Sequence, residues 1–206
     1  MTSTLLESQS PPGTSAPSTS VPSTSVPSTS VPSTSQPGAS QPVPPAQDLA
    51  EAFRAAMSAL AAPVTLVTCY DELGRPRGLT ASAVSSLSLA PPLFLVCLDR
   101  TSRTHDTLTG AEDFAVHLLG PGEEHLVKRF MRPAEHRFDG IPLAADSHRA
   151  PVIRDASLTL HCVRHDVLEG GDHTILVGRV TAVGGEPAHS GGLLWHRRGF
   201  AHARRP

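Results

Sequence analysis

Between Gly78 and Ser88 the chain reads Gly-Leu-Thr-Ala-Ser-Ala-Val-Ser-Ser-Leu-Ser, a strand-like run in which small and hydroxyl side chains replace bulky ones. Small side chains let a flat ring approach backbone N–H and C=O groups, and Ser or Thr hydroxyls can donate to a ring carbonyl or a phosphate. A Ser/Thr-rich edge strand has the same composition. A second polar segment, Asp99-Arg-Thr-Ser-Arg-Thr104, follows the apolar run Leu93-Phe-Leu-Val-Cys-Leu98 and precedes a short helix pattern ending at Gly110. Two guanidinium groups and three hydroxyls at such a corner suit a phosphate, although Thr101 or Ser102 could equally serve as an ordinary helix cap. A third candidate is Gly170-Gly-Asp-His173, either a plain hairpin turn or a turn that sets an imidazole at a strand mouth, where it can bond a carboxamide or phosphate. Trp195, the lone tryptophan, can stack on a ring or plug an end of the fold.

Other chemistries lack their residues. No G-x-G-x-x-G or P-loop sequence occurs, no G-x-S-x-G elbow, and no H-E-x-x-H or C-x-x-C pair. His161 and His165 stand at a spacing that chelates a metal on a helix, but the surrounding Leu-Thr-Leu-His-Cys-Val has the period of a strand, which holds them roughly 13 Å apart. A net charge of −2 offers no footprint for nucleic acid, and no run approaches the ~18 apolar residues of a membrane span. Three scattered cysteines, Cys69, Cys97 and Cys162, lie in apolar runs and read as small buried hydrophobes in a reducing cytoplasm.

The elements that must position these residues are mostly strands. Residues 1–47 hold half of the chain's twenty prolines and the repeat Pro-Ser-Thr-Ser-Val from Pro17 to Ser35, so they are expected to form a disordered tail with too few apolar groups to offset chain entropy. The folded domain is expected over 48–206. Asp48 and Glu51 suggest a capping box, and Leu49, Phe53, Met57 and Leu60 recur at helical spacing, so an amphipathic helix is expected to end near Pro63. Strands are expected over 64–70, 79–87, 93–98, 114–119, 158–163 and 174–183, with short helices over 104–109 and 123–130. Strands linked by turns rather than by regular crossover helices argue for a mainly β, mostly antiparallel barrel with peripheral helices.

Taken in order, several segments resemble the flavin reductase family of FMN-binding split barrels. They are Phe53-Arg-x-Ala-Met57 with Val64-Thr-Leu-Val-Thr68, then Gly78–Ser88, Pro91–Asp99, Ser102-Arg-Thr104, Phe114-Ala-Val-His-Leu118, Gly171-Asp-His173 and Leu194–Phe200. The resemblance implies an antiparallel split β-barrel of the FMN-binding type. It also implies hydride transfer from NADH or NADPH to FMN or FAD, reduced flavin passing to a partner flavin-dependent monooxygenase. The other reading is a non-enzymatic flavin- or haem-binding barrel acting as sensor, store or carrier.

By the same resemblance Thr80, Ala81, Ser82 and Ala83 line the flavin ring edge, chiefly through backbone groups, with Cys97 and Asp99 flanking it. Ser102 and Thr104, helped by Ser85 or Arg103, would hold the phosphate or ribityl chain, and Phe130 would pack nearby. His173 is implied as the nicotinamide-positioning group and catalytic candidate, with Trp195 and Arg197 as further contacts. A homodimer, and no nucleic-acid or membrane partner, complete the expectation.

Overall fold

In the computed structural model, residues 46–145, 147, 149–185 and 191–203 are described; the tail expectation falls almost wholly outside them. Ala46 and Gln47, assigned to the tail by sequence, instead open helix α1 (Ala46–Ser58). Asp48 therefore lies in the first turn rather than at the cap, still where a carboxylate meets the positive end of the helix dipole.

Ten strands follow. β1 (Ala62–Pro63), β9 (Leu193–His196) and β10 (Gly199–His202) form a small antiparallel sheet in the order β1-β9-β10. The main sheet has seven strands: β2 (Thr65–Tyr70), β3 (Pro76–Ala81), β4 (Val84–Leu89), β5 (Pro92–Asp99), β6 (Asp113–Leu118), β7 (Leu158–Gly170) and β8 (His173–Gly185). All its pairings are antiparallel, in the order β3-β2-β6-β7-β8-β5-β4. Two short helices, α2 (His105–Gly110) and α3 (Glu124–Phe130), lie beside it.

The strand expected over 79–87 is two strands on opposite edges of that sheet, joined only by Ser82 and Ala83. Laid flat, seven strands would hold their edges about 29 Å apart, whereas the link reaches about 11 Å at most. The sheet therefore curls enough to bring the ends of its two edge strands, Ala81 and Val84, together in a seam at the link. Beside this seam the Cys97 amide donates to the Ala83 carbonyl at 2.8 Å, extending the β4–β5 ladder by one residue into the link. Side-chain alternation agrees with this curvature. Val67 and Cys69 of β2, Phe114 and Val116 of β6, and Val96 and Leu98 of β5 face inward and pack with Leu108 and Leu176. Val64 and Leu66 face outward, under a layer formed by Leu126, Val127 and Phe130 of α3 with Ile153 and Leu193. β2 is thus buried on both faces, which explains why its sequence lacks a polar alternation.

Beneath the outer layer lies His117, fully buried between two threonines. Thr68 Oγ1 donates to the Pro151 carbonyl (2.6 Å), so it accepts from His117 Nε2–H (3.1 Å), and Nδ1 accepts from the Thr159 hydroxyl (2.9 Å). The network therefore fixes a neutral tautomer. Burial, reinforced by the field of His161 and opposed by the Pro151 carbonyl, brings its pKa down from 6.5 to about 4. Because the unfolded chain takes up this proton below pH 6.5 and the native chain does not until about 4, this contribution to stability is constant above pH 6.5. It is expected to shrink by about 3 kcal/mol as the pH falls to 4, at 1.36 kcal/mol per unit. Urea unfolding across that range, compared with His117→Asn, checks this; parallel profiles for the two proteins would contradict it.

Candidate functional site

A cleft of about 290 Å³ runs along the outer side of the seam. Its wall on one side is β3 and the link, Leu79 to Ala83; on the other it is Cys97, Leu98 and Asp99 at the end of β5. Ser102 from the following loop, Phe130 from α3, Arg137, and His173 at the start of β8 complete it. Thr80, Ser82 and Ala83 are exposed, and Ala81 is buried with its methyl group in the inner core.

Why the main chain is accessible here follows from strand order. β3 is an edge strand, paired with β2 alone. Its Gly78 carbonyl points away from β2, where it accepts a hydrogen bond from Arg137. In an antiparallel ladder the backbone groups of alternate residues share a direction, so the N–H and C=O of Thr80 point to the same open side. The cleft thus presents main-chain donors and acceptors beside small side chains. That is the provision a planar heterocycle with ring nitrogens and carbonyls needs at its edge.

At the mouth, β5 and β8 place Asp99 opposite His173. Asp99 Oδ1 accepts from the Thr101 hydroxyl and amide, each at 2.7 Å. These two bonds hold its carboxyl below the usual range, and the nearby imidazoles of His173 and His105 add to the effect. The Gly171–Asp172 turn is a tight hairpin with Gly171 at φ +74°, a conformation that favours glycine. It sets the His173 ring over the cleft, with Nδ1 bonded to Asp172 Oδ1 at 2.7 Å. Nε2 is left facing away from that carboxylate, available to a ligand. Cys97 is partly exposed in the wall, its thiol pushed up by burial; Cys69 and Cys162 are buried in the core and pushed up to about 12.

Of the residues singled out from sequence, the cleft brings together Thr80, Ala81, Ser82, Ala83, Cys97, Asp99, Ser102, Phe130 and His173. Five fall outside its lining. Ser85 lies on β4, its hydroxyl turned to the Ser86 carbonyl at 3.0 Å. Arg103 and Thr104 line a neighbouring hollow of about 820 Å³ together with Tyr70, Asp71 and Arg77. In that hollow Asp71 is pulled down to about 2: burial acts against this, but the Arg75 amide and the guanidinium groups of Arg75 and Arg77 outweigh it. Trp195 lies on β9 of the small sheet and packs edge-on against Phe200 at 5.3 Å. Arg197 sits in the β9–β10 turn at φ 48°, its amide bonded to the Ser58 carbonyl at the end of α1. Both belong to the small sheet because Trp195 pairs with Ala62, which draws the hairpin toward α1. Arg137 was missed, since no motif surrounds it; the signal is its contact with Gly78, distant in sequence.

Among the described residues no cluster of His, Cys, Asp and Glu could hold a metal ion, and no helix is long and apolar enough to cross a membrane. β7 is strand through both His161 and His165, as the period-two pattern predicts.

Comparison with known proteins bears on this cleft and the strands that frame it. Residues 57–204 match the flavin reductase like domain family. The reductase subunit Stc3 of stachydrine N-demethylase from Rhizobium meliloti (strain 1021) is 39% identical over 72% of this chain and 64% of its own length. The NADH:riboflavin 5'-phosphate oxidoreductase of Streptomyces pristinaespiralis is 40% identical over 73% of this chain and 86% of its own length. Among solved structures, the Streptomyces globisporus NADH:FAD oxidoreductase SgcE6, in complex with NAD and FAD fragments, superposes with a TM-score of 0.69 at 32% identity, covering 79% of this chain and 97% of that one. The matched stretch spans less than two thirds of some relatives, 64% of Stc3 and 47% of a probable flavin reductase from the same Rhizobium. In sequence over most of its length and in the fold of its backbone alike, this chain belongs to the flavin reductase like family.

Proposed function

We propose that the chain is an NAD(P)H:flavin oxidoreductase of the split-barrel type that supplies reduced FMN or FAD to a partner monooxygenase in the cytoplasm. The observation that carries this reading is the cleft itself, in which an open strand edge at Thr80 and the small residues Ser82 and Ala83 face His173 across a single seam. Flavin, when bound there, supplies the two-electron acceptor. The protein's part is placement. Thr80 to Ala83 offer the ring edge main-chain partners, Phe130 and Leu79 give an apolar surface, and Ser102 supplies a hydroxyl. His173, steadied by Asp172, orients the nicotinamide carboxamide through Nε2. Relatives include an NADH:riboflavin 5'-phosphate oxidoreductase, an NADH-dependent FAD reductase and the reductase component of a flavin-dependent trigonelline monooxygenase, which supports the reading.

A second copy of the chain is proposed as the cover for α1 and the turn that follows it, where Leu49, Phe53, Met57 and Leu60 are 46–62% exposed. The carrier reading gives His173 no task. Anaerobic mixing of the purified chain with NADH and FMN or FAD separates the two: flavin absorbance is expected to bleach at least tenfold faster than in buffer. Bleaching at the buffer rate with both flavins, and with NADPH as well, would remove the reductase assignment.

A further inference from the structure

The hairpin that carries His173 outruns its neighbour. β6 ends its pairing with β7 at Val163, opposite Asp113, so residues 164–170 of β7 have β8 alone beside them and are exposed throughout. Most ties from this end of the hairpin to the body are main-chain bonds or lie open to water. The Arg100 amide donates to the Asp172 carbonyl at 3.1 Å, Arg100 meets Glu169 in an exposed ion pair, and an exposed Arg164 reaches the carbonyls of Thr109 and Gly110. Exposed pairs of this kind hold little against water. One side-chain tie is better shielded. His105, the first residue of α2, has a side chain only 15% exposed, and its Nε2 lies 2.9 Å from Oγ1 of the buried Thr174. The Asp106 carboxylate, 2.7 Å from Nδ1, can only accept, so Nδ1 carries a proton. In the neutral ring Nε2 then accepts from the Thr174 hydroxyl.

We propose that His105 is a positioning residue for hydride transfer: by holding Thr174 it fixes where β8 begins, and so where the imidazole of His173 stands over the cleft. The inference rests on the flavin reading above and deepens it. His105 is outside the cleft's lining and acts through its neighbour. His173 and Thr174 are consecutive on β8, so their side chains take opposite faces, Thr174 toward α2 and His173 toward the cleft. Asp172 steadies the imidazole but is itself exposed, so the ring's place is set by the main chain beneath it. The same residue also braces the other wall. The His105 amide donates to the Ser102 carbonyl at 2.9 Å, and Ser102 Oγ accepts from the Thr104 amide at 3.3 Å. His105 therefore joins the corner that carries Ser102 to the hairpin that carries His173, two lining residues from different elements. A group held in place before its ligand arrives spares the ordering cost that binding would otherwise meet.

Steady-state kinetics of the full chain with NADH at saturating FMN, beside a fluorescence titration of FMN, test this. In His105→Ala the KM for NADH should rise about 5–10-fold while the FMN dissociation constant changes less than about twofold. Thr174→Val, which removes the hydroxyl partner, should copy that result, and serves if the Ala variant proves unstable. His105→Gln, whose amide oxygen can accept from Thr174 in place of Nε2, should return KM to within about twofold of wild type. In a His173→Ala background, adding His105→Ala should change KM less than about twofold, because the group it positions is gone. A fall in kcat at constant KM, or an equal loss with and without His173, would mean that His105 only steadies the fold. Either outcome overturns the proposal while leaving the flavin cleft standing. A wild-type protein that reduces no flavin with NADH would sink both this proposal and the reading beneath it.

Discussion

Replacing His173 with alanine is expected to lower kcat/KM for NADH-dependent flavin reduction by about 10–100-fold, while the FMN dissociation constant moves less than about threefold. The imidazole sits at the cleft mouth with one nitrogen fixed by Asp172, so the other has a defined direction before any ligand arrives. Losing one such prearranged hydrogen bond costs roughly 1.4–2.8 kcal/mol of transition-state binding, which is the range quoted. Flavin affinity should survive because the ring edge is served by the backbone of Thr80 and its neighbours, which the substitution leaves in place. Steady-state kinetics beside a flavin titration decide the matter. If flavin affinity falls as far as turnover, His173 holds the flavin rather than the nicotinamide; unchanged turnover would favour a carrier.

A large loss of stability is expected from Gly178→Ala. Gly178 lies on β8, and a Cβ built there would overlap the ring of Phe114 and come within 2.9 Å of the Cys162 Cβ. Neither neighbour can yield easily, since Phe114 is wholly buried in the inner core and the Cys162 Cβ is fixed to the backbone of β7. Overpacking of this kind costs about 1–3 kcal/mol and at times more. A domain of this size should lose roughly 6–12 °C in Tm for a 3 kcal/mol change. Gly110→Ala is the control: nothing lies within 4 Å of its added methyl, so its Tm should stay within about 2 °C of wild type. Thermal unfolding followed by circular dichroism tests both, and equal Tm values for the two variants would refute the packing argument.

What sequence could reveal depended on how local its cause was. The apolar runs of β5 and β6 carry their own period, and the interior of the sheet follows from them. The seam is different. Nothing in Leu-Thr-Ala-Ser-Ala-Val announces a break, because Ser82 and Ala83 are compatible with a strand and part from it only where the chain passes from one edge of the sheet to the other. β7 runs on to Gly170, beyond the expected 163, because residues 164–170 are exposed and have no need of a hydrophobic signature, whereas β8 begins at His173, one residue before the expected 174. For α1 the helical period was legible, yet the stripe it predicted faces outward, and periodicity cannot say what will cover it. Thr80 to Ala83, which line the cleft, were legible through their small size and their order along the chain. Arg137 was not, since it reaches the cleft only by bonding a carbonyl 59 positions away. Ser85, Arg103 and Thr104 lie outside the cleft's lining, and Trp195 and Arg197 lie on the small sheet, placements that residue type and order along the chain do not reveal.

The two-residue link between β3 and β4 carries no core side chain, yet it determines how far apart the two rims of the cleft stand. Leu79, Ala81, Leu98 and Phe130 of the same lining belong to the buried clusters, so Ser82 and Ala83 are the part of the wall that can vary without disturbing them. Descendants of this sequence can explore new prosthetic or substrate molecules by exchanging Ser82 and Ala83 for other small residues. The hydrophobic interior need not be renegotiated each time, which makes this scaffold unusually evolvable.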